Sequence, residues 1–475
     1  MSSPIDLTDP ANAVLAGYRY RELEFDKGGN LVHPNQVSAV GQLAGEVSDL
    51  LVIAHGWNND IEEARSLYRG LATSFESVRG SNPMDLAGRT IGIVGVLWPS
   101  KRFDEADLIP GGAAGLASDP TLPDDLRALA DVYGAEQAAT LEQAALLAPD
   151  LDDSAEARQQ YADLLRSLID PAEAEEADAV EQLMALPADQ LFDLLQSAMM
   201  TVLFGASMPG PVAPGQSGDG IGGAAGPGPG GIGLGGIGRV VGPDDSGAGA
   251  GLGNAVRGLW SKGRALLNFT TYYTMKARAG RIGQQALAPV LRDQVAGKTR
   301  LHLIGHSFGA LLVTAAATAL PGSGGVNSIS LLQGAFSHNA LSADFDGAGS
   351  AGGYRHLIDA AGVRGPIIVT HTRNDRAVGI AYAIASSIAH QNNSAIGDAH
   401  SPYGGMGSNG AQHTTEARND QALQDASATY SFRDRFVHNL LADKYIAGHG
   451  DVRNVQVANA VLQAVIATPA SPPEG

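Results

Sequence analysis

Apolar residues along this chain fall into short unbroken runs separated by stretches with helical spacing. Leu50–Ala54 (LLVIA) and Thr90–Leu97 (TIGIVGVL) are continuous apolar runs. Between them Ile61, Ala64, Leu67, Leu71 and Phe75 recur every three or four residues and predict a helix from Asp60 to about Ser77. The rhythm resumes after residue 261. A helix is predicted over Leu266–Ala296, a strand at Leu301–Gly305, a helix at Phe308–Ala319, strands at Ser328–Gln333 and Pro366–His371, and a last helix at about Val452–Ile466. Unbroken rather than alternating apolar runs mark strands buried on both faces, and helices between them are the crossovers of a parallel sheet. The expected class is therefore α/β, a mostly parallel central sheet with helices on both faces. Ala16–Phe25 and its neighbours are expected to form an antiparallel edge. No repeat of solenoid period is present.

Charge and glycine divide the chain. Residues 104–200 hold 22 acidic residues and 3 arginines, so that block alone accounts for the formal charge of -19 and the remainder is balanced. Residues 205–253 contain 20 glycines, too few large apolar side chains to offset the entropy of ordering. The predicted organisation is an α/β core from 1–100 and 261–475, an acidic helical insertion over 101–204, and a glycine-rich flexible segment over 205–260. Inside the insertion, Asp170-Pro171-Ala172-Glu173 reads as a capping box with proline at the first helical position. Leu191, Leu194, Leu195, Ala198, Met199 and Val202 lie at helical spacing before Gly205.

Composition also narrows the chemistry. There is no cysteine, which removes disulfides, thiolate metal sites and cysteine catalysis. The acidic balance argues against nucleic-acid binding, which relies on clustered lysine and arginine. No apolar run approaches the ~18–20 residues that span a bilayer, and the N-terminus lacks the basic start and apolar stretch of a signal peptide. A soluble, cytoplasmic protein is expected, with signal-less export as the other route. Oligomeric state is open.

Gly305-His306-Ser307-Phe308-Gly309 sits between a predicted strand and a predicted helix, the context in which Gly-x-Ser-x-Gly turns a serine sharply out of the chain. A neutral serine needs a base. Asp375, just past PIIVTH, and His449, in the glycine-flanked loop before the last helix, supply an acid and a base in the order Ser, Asp, His. Asp359 and His438 are the weaker rivals. Two backbone donors are expected for an oxyanion: the Phe308 amide at the start of the helix, and the Trp57 amide in the loop His55-Gly56-Trp57.

The motifs HGWNND, VLWPS, LIGHSFG, HTRNDRAVG and GHGDV resemble the α/β-hydrolase superfamily over roughly 50–100 and 265–470. The resemblance implies a serine hydrolase with Ser307, Asp375 and His449 as catalytic residues and Phe308 and Trp57 at the oxyanion; from the residues themselves, no cofactor or metal is expected. One feature departs from it. Caps in that superfamily commonly follow the sixth strand, but here residues 334–365 are too few, and the long insertion follows Trp98-Pro99-Ser100 instead.

The expected activity is cleavage of carboxylic esters, lipophilic or acyl, through an acyl-enzyme. A thioesterase, amidase or peptidase on the same triad is the alternative, as is a non-catalytic scaffold whose acidic insertion recruits a partner. In one reading of the insertion it is a lid over Ser307, with Leu195 and Met199 lining an acyl pocket. In the other its stripe packs on the core or on a second subunit. Gly231-Ile232-Gly233-Leu234-Gly235-Gly236 fits the dinucleotide pattern only formally, with no strand before it. Gly297-Lys298-Thr299 lacks the upstream glycine of a phosphate loop. The other histidines lack metal-ligand spacing, and no acidic loop alternates ligands as calcium requires.

Overall fold

Successive residues of a buried strand point to opposite faces, and here each face has its own core. The computed structural model describes residues 13–57, 59–81, 86, 88–100, 121–169, 180–194, 250–320, 325–375, 378 and 403–468. In β3 (Asp49–Ala54), Leu50, Val52 and Ala54 join one apolar cluster while Leu51 and Ile53 join the other. The remaining strands are β1 (Val14–Leu15), β2 (Tyr18–Glu24), β4 (Ile91–Leu97), β5 (Arg300–His306), β6 (Ser328–Leu332), β7 (Ile367–His371), β8 (Ala417–Ala422) and β9 (Val437–Leu441). Among the described residues they form one nine-stranded sheet in the order β1-β2-β4-β3-β5-β6-β7-β9-β8. Every neighbouring pair is parallel except β1 with β2. The helix Ile61–Ser81 and the last helix, Val455–Ile466, cover one face, and the helices Asn35–Glu46, Ala250–Arg281 and Phe308–Ala319 cover the other. The chain is thus α/β with a mostly parallel sheet.

The structure differs from the sequence expectations in three places. The antiparallel edge is only the two-residue β1, because β2 runs parallel to β4, from Arg19 beside Gly92 to Glu24 beside Leu97. The cause is the helix Asn35–Glu46, whose modest apolar stripe (Val40, Leu43, Ala44) escaped the sequence reading and which carries the chain back to start β3 in the same direction. The exposed strand β8 was likewise not predicted: its sequence ARNDQA is polar and carries no apolar pattern. Third, residues 250–260 are helical rather than part of a flexible segment. They begin one helical run, Ala250–Arg281, which continues as a π-helix over Ile282–Leu287 and ends with Ala288–Gln294. At the π segment the run lies flush on the helix Phe308–Ala319. A Cβ on Gly283 would lie 2.1 Å from the Leu312 carbonyl oxygen.

The described part of the insertion is helical: Leu122–Ala128, Ala135–Leu147, Ala155–Arg166 and 188–194. Leu122, Leu141, Tyr161, Leu191 and Phe192 are buried in the same cluster as Val52 and Val94 of the sheet. Tyr161 donates its hydroxyl hydrogen to the Gly263 carbonyl at 3.0 Å, and Arg264 pairs with Asp125 at 2.7 Å. These helices therefore pack on the long helix and share its core. The capping box at Asp170–Glu173 lies outside the described residues. Among the described residues no helix is long and apolar enough to cross a membrane.

Far from the serine, at the amino ends of β3 and β5, lies a buried ionic cluster. Asp49, fully buried, accepts from Arg300 Nε (2.7 Å), Arg89 Nη1 (2.7 Å) and Ser48 Oγ (2.7 Å), with His302 Nε2 at 3.1 Å. Arg89 also donates to the carbonyls of Val465 and Thr468, so the cluster ties the sheet to the end of the last helix.

Candidate active site

β5 ends at His306 and a helix starts at Phe308, so Ser307 alone turns the chain. Its φ of +58° and ψ of -124° lie where a Cβ is disfavoured, a strain of about 1–3 kcal/mol that only a well-determined surround sustains. That surround is visible. Ser307 N donates to Leu332 O (3.1 Å), and its carbonyl accepts from Ala335 N (3.2 Å) and Ala310 N (3.1 Å). The flanking glycines are required by contact. A Cβ on Gly305 would lie 2.3 Å from the Gly309 carbonyl oxygen, and one on Gly309 would lie 2.2 Å from that of Ala54. Gly56, in the loop after β3, approaches still closer to the site, since its Cβ would lie 2.4 Å from Ser307 Cβ and 2.9 Å from Ser307 Oγ.

Asp375 follows β7 and His449 lies beyond β9, both on the carboxyl side of the sheet, as is Ser307. His449 Nδ1 is 2.8 Å from Asp375 Oδ2. A carboxylate only accepts, so Nδ1 carries a proton and donates it to Asp375, which leaves Nε2 as the ring nitrogen not bonded to the carboxylate. Asp375 is almost fully buried. Burial pulls its carboxyl upward, but the charge and hydrogen bond of His449, the Val378 amide (3.1 Å to Oδ1) and the Gln333 carboxamide leave it below the usual carboxylate range. The loop bearing His449 is tied to the residue before the serine: His306 Nε2 is 2.8 Å from the His449 carbonyl oxygen, and the two rings are 4.9 Å apart. Burial, and then the neighbouring His449, push the His306 imidazole down to about 3, so it is a neutral donor.

Phe308 opens the helix after the serine, and Trp57 leads out of the Gly56 turn. Their rings are 5.9 Å apart. Tyr272 of the long helix lies 4.9 Å from Phe308 and 6.1 Å from Trp57, so the long helix packs an aromatic ring against the two residues that flank the serine turn, with Tyr272 and Phe308 themselves buried. The rivals lie elsewhere. His438 is buried in β9 with its ring bonded to Gln421 and Arg433, and Asp359 pairs with Arg355 at the surface. Leu195 and Met199 lie outside the described residues.

Three residues beside the serine were not singled out as site residues by sequence reasoning. Gln333 directly follows β6 with φ +47°, and its Nε2 donates to Asp375 Oδ2 (3.2 Å) and to Gly407 O (3.0 Å). A polar residue closing an apolar strand is the only trace of it in the sequence. His306 shows no more than its place inside the glycine motif. Tyr272 is indistinguishable from a core aromatic until the helix is packed.

The arrangement therefore places a strained serine, and an imidazole bonded to a buried carboxylate, at one end of the sheet. Among the described residues no group of three or more histidines, aspartates and glutamates could hold a metal ion. The chain matches no protein-family model, no curated protein and no solved structure.

Proposed function

We propose that the chain is a serine hydrolase of α/β-hydrolase type that cleaves carboxylic esters, with a lipophilic acyl group, through an acyl-enzyme. The observation that carries this reading is the 2.8 Å contact of His449 Nδ1 with Asp375, joined through His306 to the strained turn at Ser307.

In the proposed reaction, Ser307 Oγ attacks the ester carbonyl carbon as His449 Nε2 takes its proton. The carbonyl oxygen becomes an oxyanion facing the amides of Phe308 and Trp57. Asp375 fixes the imidazole tautomer and stabilises the imidazolium. The C–O bond breaks, and His449 passes its proton to the leaving alcohol. Water then attacks the acyl carbon and gives a proton to His449. The acid departs as Ser307 regains its hydrogen.

Fluorophosphonate labelling tests the reading. Wild type is expected to be labelled and Ser307→Ala is not; an unlabelled wild type would favour a non-catalytic scaffold. Turnover of p-nitrophenyl esters is expected to rise with acyl length, and flat rates would remove the lipophilic assignment.

Gln333→Met keeps the bulk of the side chain but removes the donor to Asp375. The expected result is about a tenfold lower kcat with little change in KM, because the carboxylate is held less firmly. Without that donor Asp375 becomes more basic and grips the His449 proton more tightly. The acid limb of kcat/KM therefore moves to higher pH, and a pH–rate profile reads both effects.

A further inference from the structure

The geometry points to Ser100 as a positioning residue that, with His55 and Asn59, aims the Trp57 amide at the reaction's oxyanion. This rests on the hydrolase reading and adds the device that pre-orients one of its two donors.

Three donors crowd around a single acceptor, the Gly56 carbonyl oxygen. His55 Nδ1 lies 2.9 Å from it, Ser100 Oγ 3.0 Å and Asn59 Nδ2 3.2 Å. The tautomer of His55 is set from its other side: Nε2 accepts the Trp98 amide at 3.2 Å, so Nδ1 carries the hydrogen and donates to Gly56. Burial keeps this imidazole neutral. No cis peptide occurs among the described residues, so in the Gly56–Trp57 peptide the C=O and N–H point in opposite directions. Holding the carbonyl toward Ser100 turns the Trp57 N–H away from it. Gly56 itself abuts the Ser307 hydroxyl.

Ser100 reaches this place because β3 and β4 are parallel neighbours, with Ala54 beside Val96, so Trp98-Pro99-Ser100 emerges next to His55-Gly56-Trp57. The two motifs interlock. Trp98 Nε1 donates to His55 O at 3.0 Å, and the two rings stack with centroids 5.6 Å apart. The buried Ser100 hydroxyl shares its hydrogen between Gly56 O and Asn59 O (3.0 Å each) and accepts from Asn59 N at 3.3 Å. Arg278 of the long helix donates to Pro99 O at 3.0 Å, which fixes the segment from behind. Donors already oriented need no rearrangement as charge develops, and this makes a backbone amide effective against an oxyanion.

The test uses the full chain, p-nitrophenyl butyrate as substrate and butylboronic acid as inhibitor, because the boronate adduct on serine places an oxygen where the oxyanion forms. For Ser100→Ala, kcat is expected to fall about 30-fold with KM changed by less than about twofold, and the boronate Ki to rise by the same factor as kcat falls. Ser100→Thr, which keeps the hydroxyl, restores most of both. Should Ser100→Ala not fold, Asn59→Ala removes a neighbouring donor to the same carbonyl and carries the same signature. Unchanged kcat and Ki in the folded variant, or a rise in KM alone, overturns the inference while leaving the hydrolase reading intact. A wild type inert to both ester and fluorophosphonate fails the hydrolase reading, and this inference falls with it.

Discussion

Ser307→Ala and His449→Ala are each expected to lower kcat on a p-nitrophenyl ester by about 10⁶-fold, and the double variant to lose little more. In the proposed reaction the hydroxyl and the imidazole act as a unit: without the base the serine stays a neutral alcohol, and without the serine the base has nothing to activate. Asp375→Asn should cost less, about 10⁴-fold, since an amide holds the imidazole in place but favours the wrong tautomer. Residual turnover would come from the backbone donors, which the substitutions leave in place. Against the upward pull of burial, His449 and the hydrogen bonds around it hold the Asp375 carboxyl below the ordinary carboxylate range, so on the proposed reading the acid limb of the profile is expected to belong to an imidazole. Steady-state kinetics of the four variants settle the matter. Losses that multiply in the double variant would show that the groups do not work together. A loss under about tenfold for His449→Ala would assign the base elsewhere, though not to His438, whose ring is engaged within its own strand.

The second large effect is on stability, at the opposite end of the sheet. Asp49→Ala is expected to destabilise the protein by about 3–5 kcal/mol, because removing the acceptor leaves the Arg300 and Arg89 guanidiniums buried without their carboxylate. Burial raises the Asp49 carboxyl, but hydrogen bonds from His302, Arg300 and Ser48 outweigh it, and the net position is well below the usual range. A carboxyl depressed in this way contributes stability that is fully present above its unfolded value, about 3.9, and is lost as pH falls toward the folded one. Urea denaturation as a function of pH should therefore show wild type losing stability below about pH 4, with that part of the dependence missing in the variant. Strand β3 separates this cluster from the serine by about 20 Å at ~3.3 Å per residue, so kcat per folded molecule should hardly change. A variant as stable as wild type would mean that the two guanidiniums find other partners at little cost.

Much of this protein was legible in its sequence wherever a structural requirement is local. The runs at 50–54, 90–97, 301–305 and 366–371 announce buried parallel strands because a strand covered on both faces has no polar side to show. Ser307 announces itself because the steric demands of its turn fall on residues two positions away, where only glycine fits. The order of Ser307, Asp375 and His449 is likewise a matter of sequence. Only the tertiary structure decided the rest: the direction of β2, the packing of the acidic insertion on the long helix, the reach of Gln333 to Asp375, the hold of His306 on the His449 loop, and the meeting of Ser100 with the Gly56 carbonyl. Each of these joins polar groups or modest apolar stripes across tens to hundreds of residues. A single hydrogen bond formed over such a distance imposes no periodicity on the chain, so it has no signature until the sheet brings its two ends together.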